Sequence, residues 1–275
     1  MKPYFTDENV TIYNGDCQEV LDSLSPVDIT VTSPPYNTLP TAHKPSGLHA
    51  ERVTGVNKWI AKSASGYFDS RPEGAYQEWL NGIIGKCMNL SRGLVWLNHK
   101  VRYREGVAIH PLRFIHFPCY AEVIWDRGGS MALNCKRYAP SHEGLWAFGV
   151  PHYWDDCLNM RMSVWRLSAQ RSDDHPCPFP IELVSPLIMS SCPIGGVVLD
   201  PFMGTGTALV AAKRLGRKAI GIERETRYCD LAIENLAQSV LPLFGAQEIV
   251  ESATTANNTP MAGETLQICE AQTSP

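Results

Sequence analysis

At 275 residues and 44% hydrophobic content the chain can bury a sizeable core, and its pattern reads as one domain rather than two. Nine cysteines, odd in number and without a Cys-x-x-Cys pair, disfavour a disulfide framework and a zinc knuckle, so a reducing environment and no metal are expected. The amino terminus lacks an apolar signal core, no apolar run approaches the about 18 residues of a membrane span, and the net charge of −4 argues at first sight against a nucleic-acid partner.

In chain order, Val10-Thr11-Ile12-Tyr13 alternates and then meets Asn14-Gly15-Asp16, which reads as a short strand ending in a turn. A helix is expected over Glu19–Leu24, then a buried strand over Asp28–Val31 that stops at Thr32-Ser33-Pro34-Pro35-Tyr36. Residues 38–74 are rich in Gly, Ser, Pro, Lys and Arg, and so long a connection beside a candidate site is expected to act as a lid or substrate loop. Glu73–Leu90 places Tyr76, Trp79, Leu80, Ile83, Ile84, Cys87 and Met88 at helical spacing and ends at Arg92-Gly93. Leu94–Leu97, Ala121–Trp125 and Leu145–Phe148 read as strands, and residues 151–174 as an irregular, aromatic block.

The last third reads strand, helix, strand, helix: Val197–Leu199, Ala208–Leu215 with Gly216 as its stop, Lys218–Glu223, and Tyr228–Leu241 before Pro242. Residues 246–275 have the composition of a disordered tail, which bounds the folded domain at 1–245. The tail also accounts for the net charge, because it holds four acids and no Lys or Arg. Residues 40–171 carry 17 Lys and Arg against 10 Asp and Glu, a basic middle compatible with phosphate contacts and equally with a solvated surface.

Two segments carry chemistry. In Asp200-Pro201-Phe202-Met203-Gly204-Thr205-Gly206-Thr207 the glycines lie between a strand and a helix, where the absence of Cβ lets backbone approach a ligand or simply make a tight connection. Glu223 ends the next strand 23 residues after Asp200, at the offset of an acid that accepts ribose hydroxyls. The full Gly-x-Gly-x-x-Gly pattern of a dehydrogenase is absent. Ser33-Pro34-Pro35-Tyr36, upstream of the glycine turn, is a rigid strand end, since prolines fix φ and offer no N–H.

Together these segments resemble the amino-group DNA methyltransferases that use S-adenosylmethionine, in the permuted arrangement where the catalytic segment precedes the cofactor segment. Three further matches carry the resemblance. His175-Pro176-Cys177-Pro178-Phe179-Pro180 is similar to the family's segment before the glycine turn, Tyr138 to Trp146 to its His-Glu segment, and Val123–Asp126 to the strand preceding that. The resemblance implies an α/β, doubly wound, mostly parallel seven-stranded sheet of the Rossmann-like methyltransferase type, circularly permuted.

By the resemblance, the cofactor S-adenosylmethionine meets Asp200, Pro201, Phe202, Gly204, Gly206, Thr207 and Glu223, with Asp16 at its adenine and Phe179 at its methionine end. Asp200 also faces the positive sulfonium; His175 either contacts the cofactor or fixes a helix-entry turn. The catalytic residues are Ser33, Pro34, Pro35 and Tyr36. A base amine is a poor nucleophile because its lone pair is delocalised into the ring. The Ser33 side chain and Pro34 carbonyl are expected to accept its protons and localise that pair, with Tyr36 stacking on a nucleotide flipped out of the duplex. Pro118-Cys119 and Pro176-Cys177 resemble the nucleophile of cytosine-C5 enzymes, but neither is followed by Gln, and both cysteines are expected as packing residues.

Within the family, Ser at the position of Ser33 is more typical of cytosine-N4 enzymes, and Asp or Asn of adenine-N6 enzymes; the expectation is therefore cytosine-N4, with adenine-N6 as the alternative. An RNA or protein methyltransferase is disfavoured by the His-Glu segment and the permutation, and a silent DNA-binding relative by the intact motifs. Target recognition is expected from residues 151–174, including Tyr153, Trp154, Arg161, Arg166 and Arg171, shared with the loop at 38–74. The expected partner is double-stranded DNA, with no membrane; a homodimer and a cognate restriction enzyme stay open. The expected location is the cytoplasm, at the nucleoid in a bacterial host.

Overall fold

The computed structural model of the protein describes residues 2–37, 71–129, 138, 140–155, 162–168 and 180–238. The strands are β1 (Phe5–Thr6), β2 (Val10–Asn14), β3 (Ile29–Thr32), β4 (Val95–His99), β5 (Arg102–Arg104), β6 (Val107–Ile109), β7 (Cys119–Asp126), β8 (His142–Phe148), β9 (Val164–Arg166), β10 (Val197–Asp200) and β11 (Lys218–Glu223). The helices are α1 (Cys17–Leu21), α2 (Glu73–Leu90), α3 (Ile181–Ser191), α4 (Thr207–Arg214) and α5 (Thr226–Gln238).

Among the described residues, nine strands form one sheet in the order β1-β2-β11-β10-β3-β4-β8-β7-β9, while β5 and β6 pair as a separate hairpin. Strands β2, β11, β10, β3 and β4 run parallel; β8 is antiparallel to β4, and β7 to β8. These seven are the expected mostly parallel sheet. Short β1 and β9 extend its two edges, pairing with β2 and β7.

Parallel strands must be covered on both faces, and the side-chain alternation of a strand divides them between two helical layers. On β4, Trp96 joins the core formed with Leu183 and Leu187 of α3, Leu209 of α4 and Ala232 of α5. Its neighbours Val95 and Leu97 face the other way, onto Ile83 and Cys87 of α2 and Val20 of α1, and onto Tyr76, Leu80 and Ile84 of α2. The α2 positions recur at helical spacing, so one stripe is buried. Full burial of each such aliphatic side chain stabilises the fold by roughly 1.5–3 kcal/mol.

Several boundaries differ from expectation, each for a local reason. Helix α1 starts at Cys17, not Glu19, because the Asp16 carboxylate caps it by accepting from Gln18 N at 2.8 Å. Strand β4 runs on to His99, since Asn98 and His99 pair with Leu145 and Gly144 of β8 although both are polar. The block at 151–174, expected to be irregular, contains β9, and residues 73–74 of the expected loop belong to α2. The rest of that loop, 38–70, and the tail lie outside the described residues.

From β3 the chain crosses through α2 to β4, and from β10 through α4 to β11, on opposite sides. Strand order therefore reverses between β3 and β10. In a doubly wound sheet the crevice for ligands opens at this switch point, outside the carboxyl ends of the strands.

Candidate active site

Both motifs end on that crevice. β10 delivers Asp200, which is 4% exposed and accepts from Thr32 Oγ1 at 2.7 Å and Phe202 N at 3.0 Å through the same oxygen. Thr32 is the last residue of β3, so this bond ties the glycine segment to the Ser-Pro-Pro-Tyr segment. The turn beyond Asp200 passes through Gly204 at φ 51° and Gly206 at φ 82°, left-handed values that favour glycine. A Cβ on Gly206 would also lie 2.9 Å from that of Ala232. Thr207 follows as the first residue of α4. Phe202 packs on Trp79 with ring centroids 5.4 Å apart, and the Arg71 guanidinium lies 4.6 Å from the Trp79 ring.

Glu223 ends β11 with its two oxygens accepting from Gly204 N at 3.1 Å and Glu225 N at 2.9 Å. Burial pushes its carboxyl up, and burial raises that of Asp200 to about 7, with the charge of Glu223 adding to the shift. No Lys or Arg among the described residues forms an ion pair with either acid. Asp16 lies on the neighbouring strand end, since Glu223 pairs with Asn14 two residues before it. Two acids without a cationic partner among the described residues, Asp200 buried and Glu223 half-buried, beside a glycine turn fit a ligand that brings hydroxyl donors and positive charge.

At the end of β3, Ser33 and Tyr36 turn inward rather than toward solvent. Ser33 Oγ lies 2.8 Å from the Tyr36 hydroxyl and donates to Asn98 Oδ1 at 3.2 Å. The Tyr36 hydroxyl also donates to Asn98 Oδ1 and reaches Glu143 Oε2 at 3.1 Å. Asn98 Nδ2 donates to Gly144 O at 3.2 Å, which turns its oxygen toward the two hydroxyls. Glu143, from β8, places its other oxygen 2.8 Å from Arg127 Nη1. The ring of Tyr36 is 4.8 Å from that of His99, and Lys100 Nζ sits 5.0 Å from its centroid.

A second set of bonds fixes the prolines. Tyr76 on α2 donates to Pro35 O at 2.8 Å, and its hydroxyl is 2.7 Å from His99 Nε2. The Tyr76 proton goes to Pro35 O, its oxygen faces Nε2, and Nδ1 lies 2.9 Å from Lys100 N and 2.8 Å from Lys100 O, so both ring nitrogens are engaged. Burial holds His99 far below the usual histidine range, at about 3, which keeps it neutral. Next to it, Arg102 is paired through both terminal nitrogens with Glu73 and lies 4.6 Å from the Tyr76 ring. Asn37, at φ 55°, accepts from Arg71 N at 2.7 Å and donates to Arg71 O at 3.1 Å, joining the two residues that flank 38–70.

The structure therefore brings together Asp16, Ser33, Pro34, Pro35, Tyr36, Asp200, Pro201, Phe202, Gly204, Gly206, Thr207 and Glu223 along one line of strand ends. His175 and Phe179 lie outside the described residues, as do Arg161, Arg171 and Cys177. One expectation is corrected. Cys119 is exposed, not packed, and starts β7 at the end remote from Glu143; burial and Glu122 raise its thiol, which is no activated nucleophile. Trp154 is partly buried against the main core, and Arg166, largely exposed, pairs with Asp126 at 3.0 Å. Sequence reasoning gave no role to Asn98, His99 or Arg127, placed Tyr76 only in a helical stripe, and met Glu143 only within the His-Glu segment. A pair of polar residues continuing an apolar strand at the carboxyl edge of a parallel sheet is the signal that would have found Asn98 and His99.

Comparison with known proteins gives the class first. The fold matches PvuII DNA methyltransferase, described as cytosine-N4-specific, with a TM-score of 0.65 at 18% identity over 92% of this chain and 94% of that one. It also matches a DNA modification methylase of Thermus thermophilus, solved in complex with S-adenosyl-L-methionine, with a TM-score of 0.56 at 25% identity over 86% and 97%. The architecture is that of the Rossmann-like methyltransferases. In sequence, the type II methyltransferase M.ScaI of Streptomyces caespitosus is 28% identical over 88% of this chain and 86% of its own length. M.HinfI of Haemophilus influenzae is 31% identical over 86% and 71%. Residues 27–234 match the N6/N4 family model described as DNA methylase, and the chain belongs to that family of DNA amino-methyltransferases.

Proposed function

We propose that the protein methylates the exocyclic N4 amine of cytosine in duplex DNA, on a nucleotide turned out of the stack into the crevice at the β3–β10 switch point. The observation that carries this reading is Ser33: a neutral hydroxyl, not a carboxylate or an amide, stands first in the tetrapeptide and faces Tyr36 and Asn98.

S-adenosylmethionine is the methyl donor and, when bound, supplies a methyl group on a positively charged sulfur. The residues to hold it are Asp16, Asp200, Pro201, Phe202, Gly204, Gly206, Thr207 and Glu223, whose acids and glycine backbone suit hydroxyls and positive charge. Ser33 Oγ and the Pro34 carbonyl accept the two amine hydrogens, which draws the nitrogen lone pair out of the ring toward the methyl carbon. The prolines hold that carbonyl without conformational search, and Tyr76 locks the next one.

In vitro methylation of duplex DNA followed by enzymatic hydrolysis tests the reading. N4-methylcytosine is the expected product. N6-methyladenine as the sole modified base overturns the cytosine assignment and leaves the amino-methyltransferase class standing.

A further inference from the structure

We propose that Glu143 terminates a proton path running from the target amine through Ser33 and Tyr36, and so acts as a positioning residue for the Ser33 hydroxyl. The proposal rests on the reading of Ser33 as an amine acceptor and adds to it a destination for the proton.

The oxygens of the path lie in contact; in the resting site both hydroxyl hydrogens meet Asn98 Oδ1, and transfer turns them onto the next member of the path. Ser33 Oγ is 2.8 Å from the Tyr36 hydroxyl, and that hydroxyl is 3.1 Å from Glu143 Oε2. Tyr36 and Glu143 are 7% and 5% exposed, so water does not shunt the chain. Of the neighbours described around Tyr36, the others cannot keep a proton. Asn98 Oδ1 is a neutral amide oxygen, held in place by the bond from Asn98 Nδ2 to Gly144. His99 has both ring nitrogens committed, to Tyr76 and to the Lys100 backbone. Lys100 and Arg127 are cations. The Glu143 carboxylate is the base this arrangement offers, and Arg127 on its other oxygen fixes which oxygen faces Tyr36.

The reaction requires such a base. As the amine nitrogen bonds the methyl carbon, the sulfur–carbon bond breaks and the sulfur keeps its electron pair. The nitrogen is left with a positive charge and both of its original hydrogens. It is then a far stronger acid than a carboxylic acid, because its lone pair rejoins the ring only when a proton leaves. That proton passes to Ser33 Oγ while the Ser33 proton moves to Tyr36 and the Tyr36 proton to Glu143. One N–H and two O–H bonds break, and three O–H bonds form. The positive charge on nitrogen cancels the carboxylate charge, and no further reagent is needed. The Pro34 carbonyl cannot substitute, having nowhere to pass a proton on. Before transfer, the carboxylate polarises the hydroxyl chain and makes Ser33 a better acceptor, so the effect reaches the rate of methyl transfer itself.

A purely structural Glu143, there to pair Arg127, makes different predictions. Tyr36→Phe keeps the ring and the Glu143–Arg127 pair but cuts the path. Glu143→Gln has a single oxygen, which Arg127 claims, so it turns an amide NH2 toward Tyr36 and cannot take the proton. In single-turnover methyl transfer at saturating duplex and cofactor, each variant is expected to be slower by roughly 100-fold. The double variant is expected to be no slower than the slower single one, because both break one chain. Cofactor affinity by calorimetry and duplex affinity by anisotropy should stay within about twofold of wild type, as for an interaction made only during reaction. The wild-type rate should fall in D2O, and Tyr36→Phe should lose most of that isotope effect. Tyr36→Phe at the wild-type rate, or losses that multiply in the double variant, overturns the proposal. If Glu143→Gln does not fold, Tyr36→Phe decides alone. Ser33→Ala separates the two readings: a wild-type rate there removes the acceptor and the path together, whereas a slow Ser33→Ala beside a fast Tyr36→Phe removes only the path.

Discussion

The two ends of the crevice are held in different ways. At β10 and β11 the acids are gripped by backbone: Phe202 N on Asp200, and Gly204 N and Glu225 N on Glu223. At β3, β4 and β8 side chains grip one another, with Ser33, Tyr36, Asn98, Glu143 and Arg127 in one buried network. Backbone support is local and survives many side-chain changes nearby. A side-chain network fails as a unit, because each member is the partner that satisfies the next. Substitutions on the first side should therefore register in cofactor binding, and those on the second in turnover.

Asp200 offers the largest effect. Its ordinary carboxyl value is 3.8, and burial raises it to about 7 in the fold. Between those values the unfolded chain has released a proton that the folded one retains. Stability is thus greatest below the lower value and falls as pH rises toward the upper one, by about 1.4 kcal/mol per pH unit at most. Asp200→Asn cannot ionise, so its melting temperature relative to wild type should climb from pH 5 to about pH 7 and then level off, while cofactor affinity drops. A gap that does not widen with pH would mean that Asp200 is ionised in the fold, and that its burial has no electrostatic cost.

Tyr76→Phe probes the other side. The ring remains under Arg102, but Pro35 O and His99 Nε2 lose their partner. Leaving a buried polar group unsatisfied costs about 1–3 kcal/mol, which a denaturant titration resolves. Because the change loosens the proline turn and touches nothing at β10, turnover should fall with cofactor affinity unchanged. An equal loss in cofactor affinity would break the distinction between the two ends.

The same distinction explains what could be read from the sequence. The glycine turn, its strand and helix, and the acid at Glu223 lie within one βαβ unit, where hydrophobic period and chain order already dictate proximity. The seven-stranded sheet is what the family resemblance implies. Asn98, Glu143, Arg127 and Tyr76 come from β4, β8, the turn after β7 and α2, and no local pattern reports that these meet at Tyr36. The polarity of Asn98 and His99 even ended the expected strand too early, because a buried polar pair on a strand is stable only when partners from elsewhere satisfy it. Asp16 shows the reverse case: expected at the adenine, it also caps α1, a local role that the expected helix start at Glu19 passed over.

Thr32 joins the two ends, and its removal should have the smallest but most informative effect. Its hydroxyl, on the residue before Ser33, donates to Asp200 at 2.7 Å, and Thr32→Val keeps the β-branched shape that suits a buried strand. Loss of one such bond costs roughly 1–2 kcal/mol. The Thr32 bond favours the charged form of Asp200, so its loss should push that carboxyl higher still, and the pH at which Asp200→Asn and Asp200 proteins stop diverging should move upward in the Thr32→Val background. If the bond also sets the spacing between donor and acceptor sites, cofactor affinity and single-turnover rate should fall together, by a few-fold each. A loss confined to affinity would show that β3 holds Ser33 without help from β10, and the two ends would then be independent modules sharing a sheet.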